Sequence, residues 1–371
     1  MTATLPAPTL RRVLDESGVL VGADPQIPSE DLRRMFRHIV AMRVLDQRML
    51  SLQRQGRIGF YGTAAGQEAA VTGSAYALRD SDWVFPALRE TGVSLWRGTT
   101  FREIVCQLIG NSGDVLIGRQ MPCHFSDRRV NSVAWSSVIG TQLVHAMGAA
   151  WAAKIKGDDA VMMGYMGDGA SSSADFHAAA NFAGVYRLPV VFFCQNNHWA
   201  ISVPFAKQTA SAGIAIKAVA YGFPGEAVDG NDLLAVIAAT REAVARARAG
   251  QGPTLVEAVT FRMGGHSSSD DPTRYREAEL VSTWERRDPL ARLRTWMTAR
   301  GMLSPADEQQ WTQEIGEQIS AAITEAEAMP PPAIETLFAD VYANIPRHLE
   351  EQMRYAVAMG EGQKFEGAFP L

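Results

Sequence analysis

The stretch "YMGDGASSSADFHAAANFAGVYRLPVVFFCQNNHW", from Tyr165 to Trp199, limits what this chain can fold into more than any other. Two apolar runs, Ala160 to Met166 and Val190 to Cys194, bracket a glycine-flanked aspartate, a small-residue segment of helical length and an asparagine pair. Continuous rather than alternating runs of this length read as strands buried on both faces of a parallel sheet. Gly167-Asp168-Gly169 is then the turn leaving the first strand, and Ser171 to Phe182 the crossover helix. A right-handed crossover returns both strand ends to one edge of the sheet. Asp168 and Asn197 are therefore expected to meet, although 29 positions separate them.

The same grammar extends along the chain. "DAVMMGYMG", "PVVFFCQNN" and "PTLVEAVTF" read as strands, and their alternation with helices predicts an α/β fold, a parallel sheet flanked by helices. Upstream, "SEDLRRMFRHIVAMRVLDQRMLSLQRQG" carries apolar residues at Leu32, Phe36, Ile39, Val40 and Val44, with Ser29 as the expected N-cap and Gly56 as the stop. "GTQLVHAMGAAWAAKIKG" is a Gly- and Ala-rich helix whose small faces suit close packing, in the core or against a second subunit. From about Arg276 the composition becomes helical and polar. "SPADEQQWTQEIGEQISAAITEAEAMPPP" opens on Ser304 and Pro305, and Trp311, Ile315, Ile319 and Ile323 form one stripe. The predicted organisation is a flexible N-terminal arm over 1–28, an α/β domain over 29–275 and a helical C-terminal extension over 276–371 packed on that domain.

A net charge of -5 gives no electrostatic case for nucleic acid or an anionic membrane, and no run approaches the roughly 20 apolar residues of a membrane span. The 3 cysteines, Cys106, Cys123 and Cys194, cannot all pair, which suits a reducing compartment. The N-terminus lacks a secretory core and a transit pattern. The expected location is the cytoplasm of a bacterium.

A carboxylate and an amide oxygen at one sheet edge are hard ligands of the kind Mg²⁺ takes, with phosphate and water completing its octahedron. Flanking glycines allow backbone approach, and the helix that follows offers free N–H groups to an anion. A GDG alone more often marks a loop. GDG after an apolar strand, followed by a helix and a strand ending in NN, points to a Mg²⁺-diphosphate site at the carboxyl edge of the sheet. No GxxxxGK[ST] loop is present, which argues against a nucleotide hydrolase. Among the histidines, His266 stands out in the Gly- and Ser-rich loop "RMGGHSSSDD", where a neutral imidazole can position or protonate a reacting group. For His38, His124, His145, His177, His198 and His348 an ordinary core or surface role is expected.

GDG, about thirty residues and NN resembles the thiamine diphosphate motif. The wider chain, from about residue 30 onward, resembles the α subunit of the decarboxylating component of 2-oxo acid dehydrogenase complexes. "GRIGFYGTAAGQEA", "DSDWVFPALRETGV", "GNSGDVLIGRQMPCHF", "WSSVIGTQLVHAMGAA", "AVDGNDLLAV" and "RMGGHSSSDDPTRYR" carry the likeness, and "GRQMP" leans toward the branched-chain type. The resemblance implies the phosphate-binding half of a thiamine diphosphate-binding fold. It implies Asp168, Asn197 and the Trp199 carbonyl on Mg²⁺, Arg89 on the diphosphate, Gly169 and Ala170 lining it, and Ser137 and Ile139 near the aminopyrimidine. His266 would lie by the cofactor and assist acyl transfer to a lipoyl group. Ser136, Thr141 and Gln142 match a monovalent-cation site, and Ser267 a phosphorylation position, of some relatives.

The implied partners are a β subunit, in an α2β2 enzyme, and a lipoyl-bearing acyltransferase core; the implied substrate is a small 2-oxo acid. The glutamate that the aminopyrimidine needs would come from the β subunit, so the chain is expected to be inactive alone. Two departures bear on the acid chosen. Leu88 stands where relatives commonly carry an aromatic residue, and Gly265 replaces a second histidine. Pyruvate or acetoin dehydrogenase is the alternative within this chemistry, and a non-catalytic phosphate-binding module the alternative outside it.

Overall fold

A five-stranded parallel sheet is the centre of the structure, a computed structural model that describes residues 9–339 and 341–360. Its strands run in the order β1 (Trp83–Phe85), β2 (Met162–Gly167), β3 (Val190–Asn196), β7 (Thr254–Val259) and β6 (Gly225–Asp229). Alternate β2 side chains show why the run looked continuous. Met162 and Met166 enter an apolar layer with α5 (Thr141–Lys156) and α6 (Ala174–Val185), through Leu143, Ala146 and Phe176. Met163 and Tyr165 enter the opposite layer with α2 (Glu68–Tyr76) and α8 (Leu233–Arg248), through Val71 and Val236. With both faces covered, no position along the strand favours a polar side chain.

A second helical layer closes over α2. In it α1 (Ser29–Arg54) packs against α10 (Pro289–Ala299) and α11 (Pro305–Glu327), and α11 also packs on α4 (Phe101–Ile109). The Ile315, Ile319 and Ile323 stripe of α11 is buried as its spacing requires. Ser304 forms a capping box with Asp307 at its start. The short helix α3 (Thr91–Trp96) follows β1, and α9 (Ala278–Glu285) and α12 (Arg347–Gly360) complete the C-terminal part. A two-strand hairpin, β4 (Trp199–Ala200) with β5 (Val203–Pro204), and the single turn α7 (Phe205–Gln208) lie just after β3.

Several elements differ from expectation. The crossover begins as a 3-10 turn over Asp168–Ser172, and the α-helix starts only at Ala174, because the Ser173 hydroxyl caps it by accepting from Phe176 N at 3.2 Å. Ser29 is the first residue of α1, with Pro28 in the cap position. The short strands β1 and β6 carry too few residues for a pattern; pairing with β2 and β7 makes them strands. Residues 9–22 do not behave as a free arm. Arg11 pairs beside β6, donating to Ala227 O and accepting from Asp229 N, and Val13 and Leu14 are 2% and 1% exposed. Their amides donate to Asp232 Oδ2 at 2.6 and 2.7 Å. Two apolar residues are too short a signal to show this in sequence. The first eight residues of the predicted arm, and residues 361–371 of the predicted extension, lie outside the described residues. All three cysteines are free and buried, and no described helix is long and apolar enough to cross a membrane.

Candidate functional site

Four adjacent parallel strands carry their chains to one edge. Gly167 of β2 stands beside Gln195 of β3, and Asn196 of β3 beside Val259 of β7. Just past these ends come Asp168, Asn197 and Arg262, while the loop leaving β1 brings Arg89.

Asp168 is 1% exposed, and its Oδ2 has no hydrogen-bond partner. Burial pushes its carboxyl up to about 6, although the amides of Asp168 and Asn197 and the charge of Arg262 pull the other way. That Asn197 amide contact is the convergence the spacing implied. The Asn197 side chain is fixed in orientation: its Nδ2 donates to Gln67 Oε1 at 3.0 Å, and its Oδ1 accepts from Trp199 N at 3.2 Å. Oδ1 therefore keeps a lone pair at the site, beside a carboxylate oxygen with no donor. Gln67 is fully buried in the turn before α2, and its role had no signal in the sequence beyond its place in "AAGQEA".

Two buried arginines lie at the same edge. Arg89 is 6% exposed; its guanidinium donates to two backbone carbonyls, Thr63 O at 2.5 Å and His266 O at 2.9 Å, while its backbone N–H donates to Glu90 Oε2 at 3.2 Å. Burial, and then the charge of Arg262, lower it to about 10. Arg262 is fully buried; its Nη2 donates to Ile201 O and Tyr275 Oη, while its Nε and Nη1 have no partner. Two buried guanidiniums, one bonded to backbone carbonyls and one 4.0 Å from Asp270 Oδ2, next to an unpartnered carboxylate oxygen, make a costly resting arrangement by themselves. A metal-bound diphosphate supplies both missing charges, so the residues fit that group.

His266 is half-buried. Its backbone N–H donates to Asp270 Oδ2 at 2.6 Å, and Asp270 also accepts from Tyr275 Oη at 2.5 Å. Burial, then Arg89 and Arg262, lower the imidazole to about 4, so it is neutral at pH 7. Ser267 is half-buried in the same loop, with its hydroxyl 3.1 Å from that of Ser269. Gly169 packs its α-carbon on the hairpin, where a Cβ would stand 2.9 Å from Ala200 Cβ, and Ala170 is buried. Ser137 and Ile139 lie on an exposed loop before α5 and touch none of the charged groups; Gly140 ties that loop against Ser173. Ser136 Oγ accepts from Val138 N at 3.2 Å. Gln142 donates to Tyr165 O and leaves its buried Oε1 without a partner, and Thr141 begins α5 beside it.

Leu88 covers the Gly62 α-carbon, where a Cβ would meet Leu88 Cδ1 at 2.8 Å. Gly265 is closed in by Asp270 O and Ser267 O at 3.0 and 3.1 Å from a Cβ position, so this loop has little room for the histidine it replaces. Of the histidines expected to be structural, His38 is buried between Thr72 Oγ1 and Gly92 O, His198 sits among Phe205, Phe261 and Trp284, and His145, His177 and His348 are exposed.

Residues 36–335 match the family described as dehydrogenase E1 component. This chain belongs to that family. E1 components of this kind depend on thiamine diphosphate, typically with Mg²⁺. The E1 chain is 42% identical over 344 residues to a 2-oxoisovalerate dehydrogenase subunit alpha of Arabidopsis thaliana, covering 92% of this chain and 73% of the relative. It is 40% identical to the corresponding subunit of Dictyostelium discoideum, covering 92% and 78%. The pyruvate dehydrogenase E1 component subunit alpha of Staphylococcus aureus is 41% identical, covering 92% and 90%.

Proposed function

We propose that this E1 chain is the α subunit of a branched-chain 2-oxo acid dehydrogenase. With a β subunit, in an α2β2 assembly, it decarboxylates a 2-oxo acid such as 2-oxoisovalerate and passes the acyl group reductively to a lipoyl group of an acyltransferase core. The observation that carries this reading is the unpartnered Asp168 Oδ2 on the same sheet edge as Asn197, with the buried guanidinium of Arg89 held by backbone carbonyls and that of Arg262 no nearer than 4.0 Å to Asp270 Oδ2. A decayed scaffold has no reason to keep such a destabilising set of charges.

Asp168, Asn197 and the Trp199 carbonyl would hold the metal, and Arg89 the diphosphate, with Gly169 and Ala170 lining it. Ser137 and Ile139 would meet the pyrimidine end. Bound thiamine diphosphate supplies the nucleophilic carbon and the electron sink for loss of CO₂. Around it, this chain's groups fix position and protonation. Arg89 spans the loops of Thr63 and His266, so seating an anion on its guanidinium also sets the His266 loop. A neutral His266 can accept a proton from a lipoyl or substrate group, or orient one. Leu88, lying over Gly62, would form part of the wall against the substrate's side chain. The cytoplasm of a bacterium remains the proposed location.

The relatives named for 2-oxoisovalerate support the branched-chain assignment, whereas the Staphylococcus aureus relative is named for pyruvate. Competition of 2-oxoisovalerate against pyruvate on the reconstituted α/β enzyme decides between them. A kcat/KM higher for 2-oxoisovalerate supports the branched-chain reading, and the reverse order overturns it.

A further inference from the structure

His124, expected to be an ordinary structural histidine, is built into a geometry that structural packing does not require. It is 5% exposed, packed against Trp135 with ring centroids 3.8 Å apart and the planes tilted by 38°, and its Nε2 stands 2.6 Å from the hydroxyl of the exposed Ser137. Its other ring nitrogen, Nδ1, faces the Pro122 carbonyl at 3.1 Å. A carbonyl can only accept, so Nδ1 carries the proton and, in the neutral ring, Nε2 is a lone pair. Ser137 O–H must then donate to it, and Ser137 Oγ is left as an acceptor.

The turn that aims the ring is reinforced. His124 N donates to Met121 O, and Cys123 adopts a left-handed φ of 69°, uncommon for a residue with a side chain. The buried Gln107 holds both sides of it, donating to Met121 O at 2.8 Å and accepting from Cys123 N at 3.0 Å. Backbone strain secured in this way goes with sites whose side-chain direction matters.

We infer that His124 is a positioning residue that commits Ser137 Oγ to accepting a hydrogen bond from the exocyclic amino group of the aminopyrimidine. This rests on the cofactor reading above, which places Ser137 at the pyrimidine end. The chemistry gives a discriminating probe. Oxythiamine diphosphate carries an oxygen in place of that amine, and wild-type Ser137 cannot donate to it without abandoning His124.

The test measures dissociation constants of thiamine diphosphate and of oxythiamine diphosphate, with Mg²⁺, on the reconstituted α/β enzyme by calorimetry. Wild type should prefer the amino form. His124→Ala and Ser137→Ala should each shrink that preference by roughly fivefold, the scale of one net hydrogen bond, and the double variant should shrink it no further. His124→Gln, which can offer an oxygen near the Nε2 position, should keep most of it. Equal weakening of both ligands in His124→Ala, with the preference intact, means mere packing and overturns the inference. If His124→Ala does not fold, an unchanged preference in the exposed Ser137→Ala overturns it just as well. Failure of wild type to bind either ligand overturns the cofactor reading itself, and the inference with it.

Discussion

Asp168 shows how a residue can be costly to the fold and still be kept. Its folded carboxyl titrates near 6, above the roughly 3.9 of an unfolded aspartate. The folded protein therefore holds that proton more tightly, so stability falls as pH rises from about 4 to about 6 and stays lower above. Two pKa units correspond to about 3 kcal/mol. In the cofactor-free enzyme, Asp168→Asn should raise the melting temperature at pH 7.5, and the gain should vanish near pH 4; thermal melts at the two pH values check this. His266 behaves in the opposite sense. Lowered to about 4, it remains neutral between pH 5 and 8, so its own protonation should not shape a pH–rate profile of the free enzyme there. Asp168, Asn197 and His266 were legible in the sequence because each follows a strand or sits in a glycine-rich loop, whereas Arg89 came only with the family resemblance. Gln67, Arg262 and His124 were not, because a buried amide, an arginine or a histidine has no distinguishing spacing until its neighbours are placed.

At the scale of elements, strand–helix–strand order was readable wherever both faces of a strand are buried, as in β2, β3 and β7. It was unreadable for β1 and β6, whose identity comes from pairing rather than from their own residues. The packed segment over 9–22 belongs with these. Asp232 accepts from Val13 N and Leu14 N and at the same time caps α8 through Leu234 N and Ala235 N. Asp232→Ala removes all four acceptor contacts and is expected to destabilise by about 2 kcal/mol or more, since buried amides lose their partner. Limited proteolysis should then cut within 9–22 faster than in wild type. Ser173→Ala, which removes only the α6 cap, is expected to lower stability by about 1 kcal/mol. It should leave the proteolysis pattern at the N-terminus unchanged.

For the whole molecule, the residues proposed to hold metal and diphosphate and to handle protons share one sheet edge, while Ser137 and Ile139 lie on an exposed loop. That is the layout of half a site. The α chain alone should show no decarboxylation of 2-oxoisovalerate, and activity should appear on adding the β subunit, as followed by CO₂ release. Leu88→Ala, which opens space above Gly62, should change the kcat/KM ratio between 2-oxoisovalerate and pyruvate in the α/β enzyme more than it changes cofactor affinity. The central claim is that Asp168 and Asn197 hold a metal that seats the diphosphate against Arg89. Calorimetric titration of thiamine diphosphate into the α/β enzyme, with and without Mg²⁺, in wild type and Asp168→Asn, tests it most directly. Tight binding that requires Mg²⁺ in wild type and is lost in Asp168→Asn is the expected result. Equal binding by the two proteins, or binding indifferent to Mg²⁺, would contradict it.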